Sequence, residues 1–473
     1  MPEIIFPLSS APGQGKQESG GRLINAYTEK LADNARAKTV RRRCPGLALL
    51  EEDDTYSHVR GFHFSNDILY VVMDERLLKL TVSGSTYTLA SIGALSGTTP
   101  VTFAQNNEDT PSIVAVTENG AFDVTDTSAP SAFAAPALPQ PNSVSAIGGY
   151  LVFTTLFGEI WATGLNVTTI ATDSFTTAQQ RSDGLLRGIT FRNEFFAFGQ
   201  TSIEVYTNAG TSPFPLAYST AIPRGLKGQW CVAGQQEGWS NELIWIGDDN
   251  RVYQLNGYKP VPVSTHDVER DIEAITDADE IEACVYMHGG HAIWSISSLT
   301  WTWEYNLTTG QWHERQSYLD TRWRASQTVK AFDQWIAGDQ ETGKLFTIDE
   351  DEEEEGGNPM VWTVESAPSS AFPGRVAIPR MDFDFEVGVG RVGGTQPIET
   401  DPKVRISWSD NGGASFSSPV IRELGKQSQW RTTVSVNRTG MTGQKGRIVR
   451  LEVSDPVRVA LYGGTMVAEG RTV

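Results

Sequence analysis

The chain has 473 residues, with 38 Lys and Arg against 57 Asp and Glu for a net charge of −19 and a hydrophobic content of 39%, which excludes an intrinsically disordered tail. No run of about 18 apolar residues is present to cross a bilayer as a helix, and the start, Met1-Pro2-Glu3-Ile4-Ile5-Phe6-Pro7, lacks the basic region and apolar stretch of a signal peptide. With 45 Gly and 23 Pro, about one residue in seven, turns outnumber long helices and an all-β fold is expected.

Residues 1–60 hold 9 basic and 8 acidic residues and read as an extended N-terminal arm. Arg41-Arg42-Arg43, with Lys38, is the only basic cluster. It is short, carries no interleaved aromatics and abuts the turn signal Cys44-Pro45-Gly46, so it reads as a loop or partner contact and not as a phosphate site. Residues 61–359 hold 15 bases against 38 acids, a net −23, while 360–473 hold 14 against 11. A field of that sign repels nucleic-acid phosphates, which speaks against general DNA binding by the middle segment.

That middle segment repeats. Short apolar runs, each followed by a tight turn and a second run, begin at residues 68, 112, 150, 194, 242, 291 and 334, spaced 38–49 residues apart. Examples are Leu69-Tyr70-Val71-Val72-Met73 before Asp74-Glu75 and Leu243-Ile244-Trp245-Ile246 before Gly247-Asp248. The spacing is that of a four-stranded propeller blade, about 40–50 residues. One such sheet cannot bury both faces, whereas sheets stacked radially bury each against a neighbour. A seven-bladed β-propeller over 61–355 is expected, with Trp161, Trp245, Trp294, Trp301, Trp303 and Trp335 packing between blades.

Two stretches interrupt the pattern. Ser264 to Ile275 offers Ser264 or Thr265 as N-cap, early acids, and Val268, Ile272 and Ile275 on one face, which predicts a short amphipathic helix across a blade edge. The run Asp349 to Glu355 followed by Gly356-Gly357 lacks the alternating spacing of a calcium loop and reads as a solvated linker ending the propeller. From 356 to 473, strands with alternating apolar residues predict a C-terminal β-sandwich-like domain: Met381–Val387, Val404–Trp408, Trp430–Val436 and Ile448–Val453. Within it Ser409-Asp410-Asn411-Gly412-Gly413-Ala414-Ser415-Phe416 resembles a degenerate Asp-box, a hairpin held by side-chain bonds to its own backbone.

Candidate chemistry is sparse. Cys44, Cys231 and Cys284 are too few and too far apart for a disulfide framework or a CxxC metal site, which fits folding in a reducing compartment. The pairs His58/His63 and His288/His291 have no third ligand nearby in sequence, and the Gly-rich stretch at 388–394 lies between strands, the wrong setting for a phosphate cradle. The expectation is a chain with no catalytic residue, no metal and no cofactor. Two rival readings are a propeller glycoside hydrolase or carbohydrate-binding protein, and a cellular interaction scaffold.

Gly21-Arg22-Leu23-Ile24-Asn25-Ala26-Tyr27, followed by Arg43-Cys44-Pro45-Gly46-Leu47, resembles the N-terminal signature of the packaged-DNA stabilisation proteins, the tail hub or nozzle proteins of short-tailed bacteriophages. Phe198 to Gly210, Asn256-Gly257-Tyr258, Trp303-Glu304-Tyr305-Asn306 and Gly310-Gln311-Trp312-His313-Glu314 fit the same family in order. The resemblance implies a non-enzymatic virion tail protein, folded in the bacterial cytoplasm and assembled as a ring, expected to be a hexamer, below the portal adaptor ring. It further implies an extended channel for double-stranded DNA, retention of packaged genome, and docking of a tail needle or plug and of tailspikes or fibres. Arg22, Asn25, Tyr27, Arg41, Arg42 and Arg43 are the candidate assembly interface, because they crowd a segment that precedes the first blade.

Overall fold

Alternating strands with one apolar face must find a partner sheet, and in the computed structural model, which describes residues 3–178 and 183–470, the opening strands find theirs far along the chain. Four strands lead: β1 (Arg22–Ile24), β2 (Ala26–Lys30), β3 (Thr39–Arg43) and β4 (Gly46–Glu52). Seven antiparallel blades follow, over 59–94, 102–132, 143–177, 185–222, 232–262, 282–314 and 325–349. The first six have four strands of their own. The seventh has three, and β4 is its fourth: it runs antiparallel to Lys344–Asp349, with Leu49 opposite Phe346 and Leu47 opposite Ile348. The chain before the first blade thereby closes the ring.

Each of the seven apolar runs read from the repeat forms the second strand of its blade, from Ile68–Met73 to Gln334–Asp339. That strand has a partner on either side and a blade against either face, so it carries no solvent face; all five residues of Ile113–Thr117 and all seven of His291–Ser297 are buried. Trp245, Trp294 and Trp303 lie in a core shared by the fourth to seventh blades. Hydroxyls clasp neighbouring inner strands: Thr102 Oγ1 accepts from Val144 N at 3.2 Å, Ser143 Oγ from Gly188 N at 2.8 Å, and Thr328 Oγ1 donates to Val285 O at 2.6 Å. A helix, α1 (His266–Glu273), occupies the link from fifth to sixth blade and buries Val268 and Ile272 against the same core.

The sandwich is built from both ends of the chain. One sheet joins β2 and β3 to Ala460–Gly470, Val376–Phe385 and Val434–Asn437. The other continues the sixth blade: β1 pairs in parallel with Gln311–Glu314 and antiparallel with Trp362–Glu365, and Ile448–Val453, Lys403–Ser409 and Val420–Glu423 follow. Ile4, Phe6, Leu23 and Ala26 share its core with Trp362, Met381, Phe383 and Leu451. The Asp-box-like hairpin closes on itself, with Gly413 N donating to Ser409 Oγ at 2.9 Å and Ser415 N to Asn411 Oδ1 at 3.0 Å.

Two expectations are corrected. Residues 3–60 are not an extended arm: their apolar side chains complete the sandwich core and β4 completes the seventh blade, because both need strands that the later chain does not supply. Met1, Pro2 and 471–473, which the expected end segments included, lie outside the described residues. The acidic run is likewise no solvated linker. Glu354–Glu355 forms a short strand, Glu355 pairs in parallel with Leu47, and Glu353 and Glu355 are buried. Burial is possible because Arg391 pairs with Glu353, while Ser317 Oγ and Trp323 Nε1 donate to Glu355 at 2.6 and 3.0 Å.

Candidate functional site

The seam where the sixth blade, the seventh blade and the sandwich meet gathers many buried polar side chains, among them Glu304, His313, Arg315 and Glu355, and all six candidate interface residues belong to its surroundings. Asn25 sits between β1 and β2 at φ 52°, a left-handed conformation that Asn tolerates better than most residues. Its side chain donates to Gln316 O at 2.8 Å and Val361 O at 3.0 Å and accepts from Gln316 N at 3.0 Å, while its carbonyl accepts from Cys44 N at 3.0 Å. One residue thus ties the sixth blade, the sandwich and the end of β3. Gly46, which opens β4, has no room for a side chain: a Cβ there would lie 2.4 Å from Glu352 O and 2.5 Å from Glu354 O.

The three consecutive arginines diverge as strand alternation requires. Arg41 donates to Phe6 O at 2.8 Å and Pro7 O at 3.2 Å; Arg43 donates to Asp455 O, Val457 O and Val453 O at 2.8, 3.0 and 2.6 Å. Burial lowers both to about 10, which still leaves them charged at neutral pH. Arg42 points the other way and pairs with Glu29, and Arg22 pairs with Glu314, whose Oε1 also accepts from Ser10 Oγ at 2.6 Å. Tyr27 packs edge-on between His288 and His291, with ring centroids 5.0 Å apart in each case. The residues expected on an assembly surface therefore hold the chain to itself. Asn25, Tyr27, Arg41 and Arg43 are buried, and Arg22 and Arg42 are half-buried in intramolecular ion pairs.

Beneath them runs a buried chain of polar groups. Glu304 and His313 face each other across the third and fourth strands of the sixth blade. His313 Nε2 lies 2.8 Å from Glu304 Oε2, Tyr286 OH donates to Glu304 Oε1 at 2.8 Å, and the imidazole is also hydrogen-bonded to Cys44. Burial alone would lower the His313 pKa, but Cys44 and Glu304 outweigh it and raise it to about 9. Burial would raise Glu304, and His313 holds it below its ordinary value instead. Arg315 continues the chain, donating to Pro45 O at 2.5 Å, lying 3.5 Å from Glu355 Oε1 and stacking over Trp323. One donor atom each from Cys44, Glu304 and His313 lies within 4.8 Å of the other two, so among the described residues this trio is the set with metal-ligating chemistry.

A cavity of about 290 Å³ opens beside Cys44, walled by Tyr27, His288 and His291 on one side and Glu350 to Glu353 on the other. Burial and the neighbouring His291 depress His288 to about 3, so it stays neutral, and burial raises Glu353 to about 7. The other thiols, Cys231 and Cys284, lie in the propeller core and are raised to about 12 by burial, with Glu304 adding to the rise at Cys284. Of the sequence candidates, the structure brings Cys44, His288 and His291 together, whereas His63 lies half-buried in the first blade against Gln105 at 2.9 Å. Glu304, His313, Arg315 and Glu355 escaped sequence reasoning. Glu304 did carry a signal, since a carboxylate between Trp303 and Tyr305 in a strand needs a buried partner, but the partner's identity is not local.

The rim of the ring is the second feature of note. In an antiparallel blade the turn between second and third strands lies at the same end as the link to the next blade. That end carries Asp74, Glu75, Glu118, Asp248, Asp249 and Glu341, together with Asp267, Glu269 and Asp271 of α1. Some of these acids are satisfied locally: Arg224 pairs with Asp248 and Asp249, and Thr98 and Thr99 donate to Glu118.

The chain's likeness to known proteins follows the same architecture. A family model described as "Bacteriophage P22 Gp10, beta-propeller" matches residues 24–353, a span from the last residue of β1 to the acidic run that contains β4 and all seven blades. No curated protein matches the chain. Among solved structures, the WD40 β-propeller domain of Doa1 is similar over 64% of this chain and 96% of its own, at 8% identity and a TM-score of 0.42.

Proposed function

Because the chain belongs to the phage stabilisation family whose model is the β-propeller of bacteriophage P22 Gp10, we propose that it is a structural, non-enzymatic protein of the virion tail. In this reading copies of it form a ring, expected to hold six, below the portal adaptor. The ring extends the channel for double-stranded DNA, helps retain the packaged genome, and offers surfaces to a tail needle or plug and to tailspikes or fibres. The observation that carries the reading is the unbroken family match over β2 to β4 and the whole propeller. The seam supports it physically. A protein that holds back pressurised DNA bears load, and here blade and sandwich share one hydrogen-bonded sheet in place of a linker.

The reading assigns assembly contacts to exposed surfaces of propeller and sandwich, since the N-terminal segment is occupied within its own chain. It also assigns the acidic rim to the DNA path, where like charge keeps phosphates from adhering over a Debye length of roughly 8–10 Å. Electron micrographs of the purified protein, alone and mixed with a portal and adaptor complex, test the assignment. Rings that add below the adaptor are expected, and monomers that ignore it would overturn it. Replacing Asp74, Glu75 and Glu341 by Lys is expected to slow genome exit most at low salt; unchanged exit would remove the rim from the DNA path while leaving the tail assignment standing.

A further inference from the structure

We propose that Cys44, Glu304 and His313 form a zinc site that fastens the crossing from sandwich to seventh blade onto the sixth blade. The three donor atoms come from positions too far apart in sequence to form a motif, yet they lie within 4.8 Å of one another. A tetrahedral zinc ion with bonds of about 2.0–2.3 Å sets its ligand atoms roughly 3.3–3.8 Å apart, so closure requires shifts of only about 1 Å. Thiolate, imidazole and carboxylate together suit this borderline-soft ion, whereas calcium and magnesium select oxygen alone.

The surroundings supply what such a site needs. Glu304 and His313 are opposite each other in the ladder, so rigid strands present them on one face. Cys44 is anchored through its own N–H to Asn25 O at 3.0 Å. Tyr286 OH on Glu304 Oε1 at 2.8 Å serves as the outer partner that orients a ligating carboxylate. The neighbouring cation, Arg315, is held by Pro45 O at 2.5 Å and Glu355 Oε1 at 3.5 Å, and its charge also reaches Cys44 and Glu304, favouring their anionic, ligating forms. The fourth position falls to a water from the adjoining cavity of about 290 Å³, which reaches Cys44. Binding needs a thiolate and a neutral imidazole, so it releases the protons that Cys44 and His313 carry and replaces a chain of hydrogen bonds by a cross-link among residues 44, 304 and 313, the kind of long-range closure that stabilises most.

The test uses the full chain, purified without metal-affinity resin or chelator. Elemental analysis is expected to find about one zinc per chain, and cobalt(II) titration of chelator-stripped protein to raise a thiolate-to-cobalt charge-transfer band. Cys44→Ser is expected to lose both the zinc and the band while keeping the wild-type β-sheet circular dichroism. Should that variant not fold, Glu304→Gln and the wild-type cobalt titration decide. Folded wild-type protein that neither carries zinc nor takes up zinc or cobalt would show a closed hydrogen-bond chain and overturn the proposal, as would a Cys44→Ser variant that binds cobalt as tightly as the wild type.

Discussion

The first five blades and the last two are made of the same hairpins, but they are completed differently. Over 59–262 every blade takes its four strands from one continuous stretch of chain, and its ladders join sequence neighbours. The sixth blade instead runs on into β1 and Trp362–Glu365, and the seventh borrows β4 and then Glu354–Glu355. The contrast teaches where a repeat architecture commits its charged side chains. In the first region acids are satisfied by hydroxyls close in sequence, in a turn as Glu118 is by Thr98 and Thr99, or within a strand as buried Glu204 is by Tyr206 OH at 2.6 Å. In the second they are buried and satisfied by other elements, Glu355 by Arg315 and Trp323 from the link between the sixth and seventh blades and Glu314 by Arg22 and Ser10 from about 300 residues away.

If this division is right, the largest effect follows from removing residues 1–52. That deletion strips β4 from the seventh blade and β1 to β3 from the sandwich, so the chain is expected to lose cooperative thermal unfolding and to aggregate in size-exclusion chromatography. Replacing the two-residue outer strand Ser131–Ala132 of the second blade by Gly-Gly is expected to leave a cooperative transition within a few degrees of the wild type. A truncated chain that melts like the intact one would erase the distinction between the regions.

Next in size, Arg315→Leu removes a buried cation and leaves Glu355 and the Pro45 carbonyl without their partner. Breaking one side of such a pair costs about 3–5 kcal/mol, read as a lowered midpoint in urea. Asn25→Ala is expected to cost about 2–3 kcal/mol, from three lost side-chain hydrogen bonds of roughly 1 kcal/mol each, with part of the left-handed strain added. A cost under about 0.5 kcal/mol, the level of an ordinary surface change, would show that Asn25 is not the buckle of the seam.

The smallest effect lies in the first region and depends on pH. Burial would raise Glu118, but hydrogen bonds from Thr98 and Thr99 outweigh it and hold the carboxyl at about 2, against an ordinary 4.5. A carboxyl depressed in the folded state stabilises fully above pH 4.5, and the contribution fades as pH falls through about 2. Because the group is largely exposed, solvent screening keeps the effect small. Glu118→Gln is therefore expected to melt slightly below the wild type at pH 7 and to converge with it near pH 2; parallel curves across that range would deny Glu118 this role.

How legible all this was depends on range. The seven-fold repeat, the α1 segment and the Asp-box-like hairpin were readable because each is decided within a few tens of residues: a fully buried second strand must be apolar throughout, and α1 shows its apolar stripe at helical spacing. The strands of the C-terminal region were largely readable for the same reason, although Trp430 stands exposed in a loop before Val434–Asn437. The Arg22 to Arg43 segment was read as a candidate assembly interface, and the structure places Asn25, Tyr27, Arg41 and Arg43 inside the chain and pairs Arg22 and Arg42 with Glu314 and Glu29. Nothing in Arg41-Arg42-Arg43 tells whether a guanidinium meets a partner molecule or the carbonyls of Phe6 and Val453.

The sequence by itself determined the kind of unit and its number, since hydrophobic periodicity and turn chemistry are local properties of the chain. Only the tertiary structure decided that the first strands close the last blade, that seven acids in a row include two buried ones, and that Cys44, Glu304 and His313 meet. The physical reason is that a buried charge is tolerated wherever any partner arrives in the right geometry, and which partner arrives is fixed by the closure of the ring and not by the residues on either side.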